Sequence, residues 1–284
     1  SLITWIVSGV ASFILKKIKA DDFTILYNLP FSSVLFPSLT SREFTASVQS
    51  ACKRYPGPVA LRGLNDFQHG ELLAELKSLR FLVIPCRRIF LVKDPKKAAS
   101  GSRLVRRELR LVQRFPELSL RVEHEFPPND IPIAVSMYRK LYIEKYSSEN
   151  ADYSEEFLRV AFSTQMLTPI TLRDGNRRLI GFVAFYENES TVTAPLIGSE
   201  SSRTDVPAYR ILMIELLRYA GDRGKLLNWS SGVAEFKMLR GATSVVEHIA
   251  VYPKTPLHRI TYTLFSVALA NLLCRNEINA LLRT

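Results

Sequence analysis

NWSSGVAEFKMLRGA, residues 228–242, decides the reading of this chain. The run KLLNW at 225–229 has the apolar character of a short strand, Ser230, Ser231 and Gly232 interrupt it, and VAEFKMLR at 233–240 has the spacing of a short helix closed by Gly241. A strand that ends just before a helix begins leaves backbone N–H groups without partners. Lys237 on that helix, with Arg240 three residues further on, adds cations beside them. Such a corner suits a developing oxyanion or a phosphate. The alternative is that both are surface charges while Phe236 and Leu239 form the buried side.

Working outward, the pattern predicts a helix at 154–164, strands at 168–173, 178–187 and 190–198 joined by tight turns at Asp174-Gly175-Asn176 and Asn188-Glu189, then an amphipathic helix from Pro207 to Asp222. Pro207 suits the first helical position and Asp205 the cap. Strand 225–229, helix 233–240 and strand 244–252 follow, and an apolar helix spans about 257–282. This order belongs to a sheet that splays open between its central strands and exposes backbone to a ligand.

By that order and by its local residues, 168–252 resembles the GNAT superfamily, and within it the Fem-type aminoacyl transferases and their acyltransferase relatives. Those proteins often show a strand ending in Asp-Phe-Gly or a near variant, a Gly-containing loop, and an aromatic-Lys pair followed by a basic or aromatic residue and Gly. The matching residues here are Asn228-Trp229-Ser230, Gly232, Phe236-Lys237, Arg240 and Gly241-Ala242. The resemblance implies an α/β (α+β) fold with a mixed, mostly antiparallel sheet flanked by helices. It also implies two GNAT-like halves, a degenerate one over 1–126 and an acyltransferase domain over 127–284.

GNAT proteins usually hold the donor pyrophosphate in a Gly-rich loop before the helix that here starts at Pro207. This chain reads SESSRTDVPAYR there, with no Gly between Ser199 and Ala220. Ser201, Ser202, Arg203 and Arg210 are therefore the candidate phosphate contacts by side chain, with Ser230, Ser231, Gly232 and Arg240 from the motif loop. Fem-type proteins also depart from the Gly-rich pattern and use a donor linked to transfer RNA. Beside Lys237, the candidates for proton transfer are Glu235, Glu247, His248, Tyr186 and Glu187. Glu247 and His248 are neighbours on a predicted strand, so at most one faces a cleft.

The first half reads as helix 2–19, strand 23–29, helix 42–55, strand 58–64, helix 66–80 capped by Asp66, one or two strands over 81–94 interrupted by Pro85, helix 100–115, strand 118–126 and helix 131–146. A net charge of +11 and a pI of about 9.7 attract anions: nucleotide phosphates, acidic carrier proteins, RNA or anionic lipid. Between Arg87 and Arg121 eleven basic residues face three acidic ones, and Arg103, Arg106 or Arg107, Arg110 and Arg114 fall close to one side of the predicted helix. A solvated face is the plainer account of that run.

Cys52, Cys86 and Cys274 lie far apart without a CxxC pair, and the four histidines lack ligand spacing, so the expectation is a reducing cytoplasm, no disulfide and no metal. The apolar run at 2–15 falls short of the about 20 residues a spanning helix needs. Residues 2–19 fit a buried helix or a peripheral contact at the inner membrane surface. The expected activity is N-acyl transfer from acyl-CoA or an acyl carrier protein to a small-molecule or peptide amine. The alternatives are a tRNA-dependent Fem-like aminoacyl transferase and an inactive GNAT-like binding module at a membrane surface.

Overall fold

The computed structural model of the chain describes residues 16, 22–27, 30–37, 40–200 and 205–281. Except for Lys16, the expected helix at 2–19 lies outside them, as do Ser201, Ser202 and Arg203. The described residues fall into two compact units: unit 1 from the described parts of Ser1–Pro30, Phe36–Arg88 and Val245–Thr284, and unit 2 from Phe31–Leu35 and Ile89–Ser244. This grouping differs from the division expected at 126/127. The reason is strand pairing, because a strand from the far end of the chain joins the first unit.

In unit 1, β1 (Thr24–Ile25) runs parallel to β2 (Val59–Asn65), which pairs antiparallel with β9 (Thr243–Tyr252). Helix α1 (Ser41–Arg54) starts at a reciprocal cap: Thr40 accepts from the Glu43 amide, and the Glu43 carboxylate accepts from the Thr40 amide at 3.0 Å. Helix α2 (Asp66–Ser78) is capped by Asn65, whose Oδ1 accepts from Gln68 N at 2.9 Å, not by Asp66 as expected. Phe44, Val48, Leu61, Leu64, Leu73, Leu76 and Phe81 form the core.

β3 (Leu82–Val92) is one unbroken strand despite Pro85. β8 (Leu226–Asn228) registers with it at Leu91 and Val92, so Pro85 stands clear of that ladder. The helix expected at 100–115 is instead three pieces: α3 (Pro95–Gly101), α4 (Arg103–Leu109) and a 3-10 turn at Val112–Arg114. Ser102 adopts extended backbone and its hydroxyl accepts from Val105 N, which restarts the helix as a new N-cap.

Unit 2 carries the expected meander: β4 (Ser119–Val122), β5 (Thr168–Arg173), β6 (Leu179–Glu187) and β7 (Thr191–Ser199) pair antiparallel in sequence. Helix α7 (Ala208–Asp222) packs on it, burying Ile211, Leu212, Leu216 and Leu217. Each such side chain contributes about 1.5–3 kcal/mol. On the other side, α5 (Ile131–Arg139) continues directly into a π-helical segment, Lys140–Tyr146, before α6 (Glu155–Ser163). Gly198 permits α5 to approach β7, because a Cβ there would meet Met137 Cβ at 2.7 Å and Phe182 Cε1 at 2.8 Å.

Strands β7 and β8 run parallel and pair only from Thr191↔Leu226 to Thr193↔Asn228. Beyond that, β7 continues to Ser199 while β8 gives way to a loop and to α8 (Ala234–Met238). The expected splay is therefore present, and it opens at Thr193, whose hydroxyl donates to the Asn228 carbonyl at 3.0 Å. The apolar C-terminal helix α9 (Pro256–Leu281) belongs to unit 1.

Candidate functional site

The splay leads to a cleft of about 800 Å³ in unit 2. Its walls are Lys140, Glu144, Lys145 and Tyr146 of the π segment, the Ser199-Glu200 end of β7, the Val206–Arg210 start of α7, and Val233 and Phe236 beside α8. A π turn widens a helix by one residue and recurs at functional sites. Here it carries two lysines, a carboxylate and an aromatic ring to one wall.

The N-cap position of α7 is Pro207, one residue earlier than the place expected for it, and the Pro207 side chain makes no cap hydrogen bond. Ala208 N donates to the Val206 carbonyl at 2.8 Å, while Tyr209 and Arg210 of the first turn line the cleft, where the helix dipole and the Arg210 guanidinium favour an anion. Glu144 makes no ion pair among the described residues. Tyr209 lines the same wall, edge-on to Phe236 at 5.6 Å, and burial pushes its hydroxyl up to about 12, so it remains a proton donor at neutral pH. Behind it Tyr142 stacks on Tyr138 at 4.7 Å, and burial raises both hydroxyls further.

Lys237 has a different place from the one expected. It is 3 % exposed, and its Nζ donates to the carbonyls of Trp229 at 2.6 Å, Ser231 at 2.6 Å and Ser230 at 3.4 Å. An ammonium only donates, so it is drawn to the Trp229 and Ser231 carbonyls beyond the end of β8, not to free N–H groups. The loop it holds is contorted: Ser230, Gly232 and Val233 all have left-handed backbone, with φ of 55°, 79° and 46°. For β-branched Val233, which lines the cleft, that conformation costs about 1–3 kcal/mol.

Arg240, expected to bind donor phosphate, is instead buried against Glu108. Its Nε lies 2.7 Å from Glu108 Oε2, Nη1 donates to the Phe236 carbonyl at 2.6 Å, and the guanidinium stacks 3.6 Å over the Phe236 ring. Arg210 Nε reaches the same carboxylate at 3.4 Å. Glu108 therefore fixes both the back of α8 and the arginine at the cleft. Sequence reading passed over it because it sits within an arginine-rich run, although its place three residues after the buried Val105 marks the inner face of α4.

The remaining candidates are spread out. Glu235 is exposed on the first turn of α8, and Ser231 and Gly232 are exposed on the loop. Glu247 and His248 belong to unit 1. Glu247 is buried and pairs with Arg87 at 2.7 Å, and His248 Nε2 lies 3.0 Å from Asp66. Tyr186 donates to the Ser33 carbonyl and Glu187 pairs with Lys225, so both are structural contacts. No group of three or more metal-ligating side chains occurs among the described residues.

A second cleft, of about 790 Å³, opens on the outer face of α4 and the turn after it. It is lined by Arg103, Arg106, Arg107, Arg110 and Arg114 with Leu104 and Gln113. Among the described residues none of these five arginines makes an ion pair.

No protein-family profile matches the sequence, and no curated protein matches it. Solved structures do match. FemX is 8% identical and superposes with a TM-score of 0.59 over 79% of this chain and 78% of its own. The chain thus has a GNAT-like fold that it shares with FemX. L-PGS from Bacillus licheniformis is similar over 79% of this chain and 76% of its own, at 15% identity and a TM-score of 0.52. A C-terminal domain described as that of a lysylphosphatidylglycerol synthetase from Agrobacterium fabrum is similar over 80% and 76%, at 12% identity and a TM-score of 0.52. At these identities the GNAT-like likeness is one of fold.

Proposed function

We propose that this protein transfers an acyl group from an anionic thioester donor, acyl-CoA or an acyl carrier protein, to an amine held in the unit 2 cleft. The observation that carries this reading is the first turn of α7, which with Arg210 lines a cavity of about 800 Å³. The donor's phosphates sit at the start of α7 on Arg210, and the acyl chain lies along Tyr146, Tyr209 and Phe236. The amine nitrogen bonds to the thioester carbonyl carbon, the C–S bond breaks, and the thiolate leaves. Glu144 takes the proton the amine loses, and Tyr209, protonated at neutral pH, donates a hydrogen bond to the departing charge. In this scheme Lys237 and the Glu108–Arg240 pair are positioning residues that hold the loop and Phe236.

A second reading, aminoacyl transfer from charged transfer RNA, is favoured by one specific observation: the arginine cleft, whose five cations make no ion pair among the described residues. The fold shared with FemX supports it as well. Thermal stabilisation by acyl-CoAs of several chain lengths, acyl carrier proteins and aminoacyl-tRNA separates the two. Stabilisation by a thioester donor that disappears in Arg210→Ala, together with a fall in transfer of roughly ten- to a hundredfold in Glu144→Gln, is the expected result. Stabilisation by aminoacyl-tRNA alone, falling steeply with salt, selects the second reading. No response to any donor overturns both.

A further inference from the structure

Helix α4 carries opposite charges on its two sides. Val105 and Glu108 are buried, and at about 100° per residue Arg103, Arg106, Arg107 and Arg110 project within an arc of roughly 100° on the side away from them. All four are exposed, as is Arg114 on the turn that follows. Glu108 is the one carboxylate between Asp94 and Glu117 in the sequence, and it is turned inward to Arg240 and Arg210. The cleft of about 790 Å³ on the outer face is therefore lined by five arginines and, among the described residues, by no carboxylate. A concave wall of one charge sign focuses a positive field outward. Local helix electrostatics does not account for it. Arg106, Arg107 and Arg110 complement the dipole at the end of α4, but Arg103 directly follows the N-cap Ser102, where a cation opposes the dipole, and Arg114 lies beyond the helix.

Spacing, lining and position select the occupant. Arg103, Arg107 and Arg110 keep the four- and three-residue spacing of one helix side over a rise of about 10 Å, the spacing at which carboxylates stand along a facing acidic helix. A guanidinium takes a carboxylate by two parallel hydrogen bonds, and Leu104, half-buried in the same wall, offers a protein partner an apolar contact. A single-stranded RNA end is held by bases stacked on aromatic rings, and among the described residues no aromatic side chain lines this cleft. On its inner side α4 reaches the transfer cleft, where Glu108 lies 3.4 Å from Arg210. One helix diameter, about 10–12 Å, therefore separates the outer arginines from the start of α7. A thioester on a flexible pantetheine arm crosses that width. Coenzyme A, which has no protein body, would leave the outer arginines unused.

We infer that the outer face of α4 docks the acidic helix of an acyl carrier protein, which brings the thioester to the neighbouring cleft. The inference rests on the acyl-transfer reading of that cleft and narrows its donor. The apo form of the acyl carrier protein of bacterial fatty-acid synthesis has no pantetheine arm, so its binding to the full chain, measured by titration calorimetry, reports docking alone. Arg106→Glu and Arg110→Glu should each weaken that binding by about tenfold or more, because like charges then face each other. Arg159→Glu makes the same change of charge at an exposed arginine of α6 that does not line the cleft, and should weaken it by less than about twofold. Far-ultraviolet circular dichroism checks that the variants fold. In transfer assays, Arg106→Glu and Arg110→Glu should raise the KM for a carrier thioester relative to that for acyl-CoA by about tenfold. Apo carrier that does not bind, or that binds all three folded variants alike, overturns the docking even where acyl-CoA is a substrate. Transfer RNA that binds through these arginines while the carrier does not would make RNA the occupant and overturn it too. Docking that depends on Arg106 and Arg110, without transfer from any thioester, would uphold the docking face and overturn the reading of the cleft.

Discussion

Lys237 and Arg240 in the motif, and the five arginines between Arg103 and Arg114, look alike in sequence: cations spaced three or four apart on short helices. In the folded unit they are opposites. Lys237 and Arg240 are 3 % and 4 % exposed, and every contact described for them is a carbonyl, a carboxylate or a ring. The five arginines are exposed around a cleft and without ion pairs among the described residues. Buried cations hold this architecture in place, whereas the exposed set is available to a ligand. α4 joins the two, with arginines on its outer face and Glu108 on its inner one.

The comparison breaks most readily at Glu108. Glu108→Ala should lower stability by about 3–5 kcal/mol in a denaturant titration, because it strands Arg240 without a counter-charge. The double replacement Glu108→Leu with Arg240→Met should recover most of that loss, since no buried charge then remains. If Glu108→Ala melts like the parent chain, the pair is not structural and the contrast fails.

Lys237→Met comes next. It leaves the Trp229, Ser230 and Ser231 carbonyls without their ammonium donor, and a loss of about 2–4 kcal/mol is expected by the same titration. A fall in transfer activity should accompany it through the loosened Val233 wall. Full stability with activity lost would instead make Lys237 a group that touches the reacting atoms.

On the exposed side, Arg106→Gln with Arg110→Gln should change stability by less than about 0.5 kcal/mol. If a polyanion occupies that cleft, its binding should weaken, and the slope of log affinity against log salt should fall by roughly 1.4 to 1.8. An unchanged slope would reduce the cleft to a solvated basic face.

The smallest effect sharpens the contrast with a group that is satisfied only when uncharged. His69 Nδ1 accepts from Asn65 N at 3.2 Å, and burial holds the ring's pKa down at about 4 against an ordinary 6.5. Between those values the unfolded chain binds a proton that the native ring does not. Stability should therefore fall as pH drops from 6.5 towards 4, with no contribution from this ring above 6.5. His69→Phe should flatten that part of the pH–stability curve.

Much of unit 2 was legible because its signals are local. The turn at Asp174-Gly175-Asn176, the alternating runs of β5 to β7 and the amphipathic α7 each announce themselves within about ten residues. The three-way break of 95–114 was missed because Ser102 acts as a cap only in the backbone conformation it adopts here, and Asn65 hid beside an equally plausible Asp66. Of the candidate site, Arg210 was read as a contact by side chain and does line the cleft. Glu144 and Tyr146 carry no mark in the sequence, since a π turn has no periodicity that separates it from an ordinary helix.

By itself, then, the sequence determined the order of strands and helices over 168–252, the splay after β7 and the concentration of positive charge. Period and turn chemistry act between near neighbours, and charge is a property of composition. Tertiary structure alone decided which cations were free. Glu108 and Arg240 stand 132 residues apart in the chain, and the Trp229 and Ser231 carbonyls that claim Lys237 lie beyond β8, which stops at Asn228. The desolvation that forces a buried charge to find a partner acts through space, and no spacing along the chain records it.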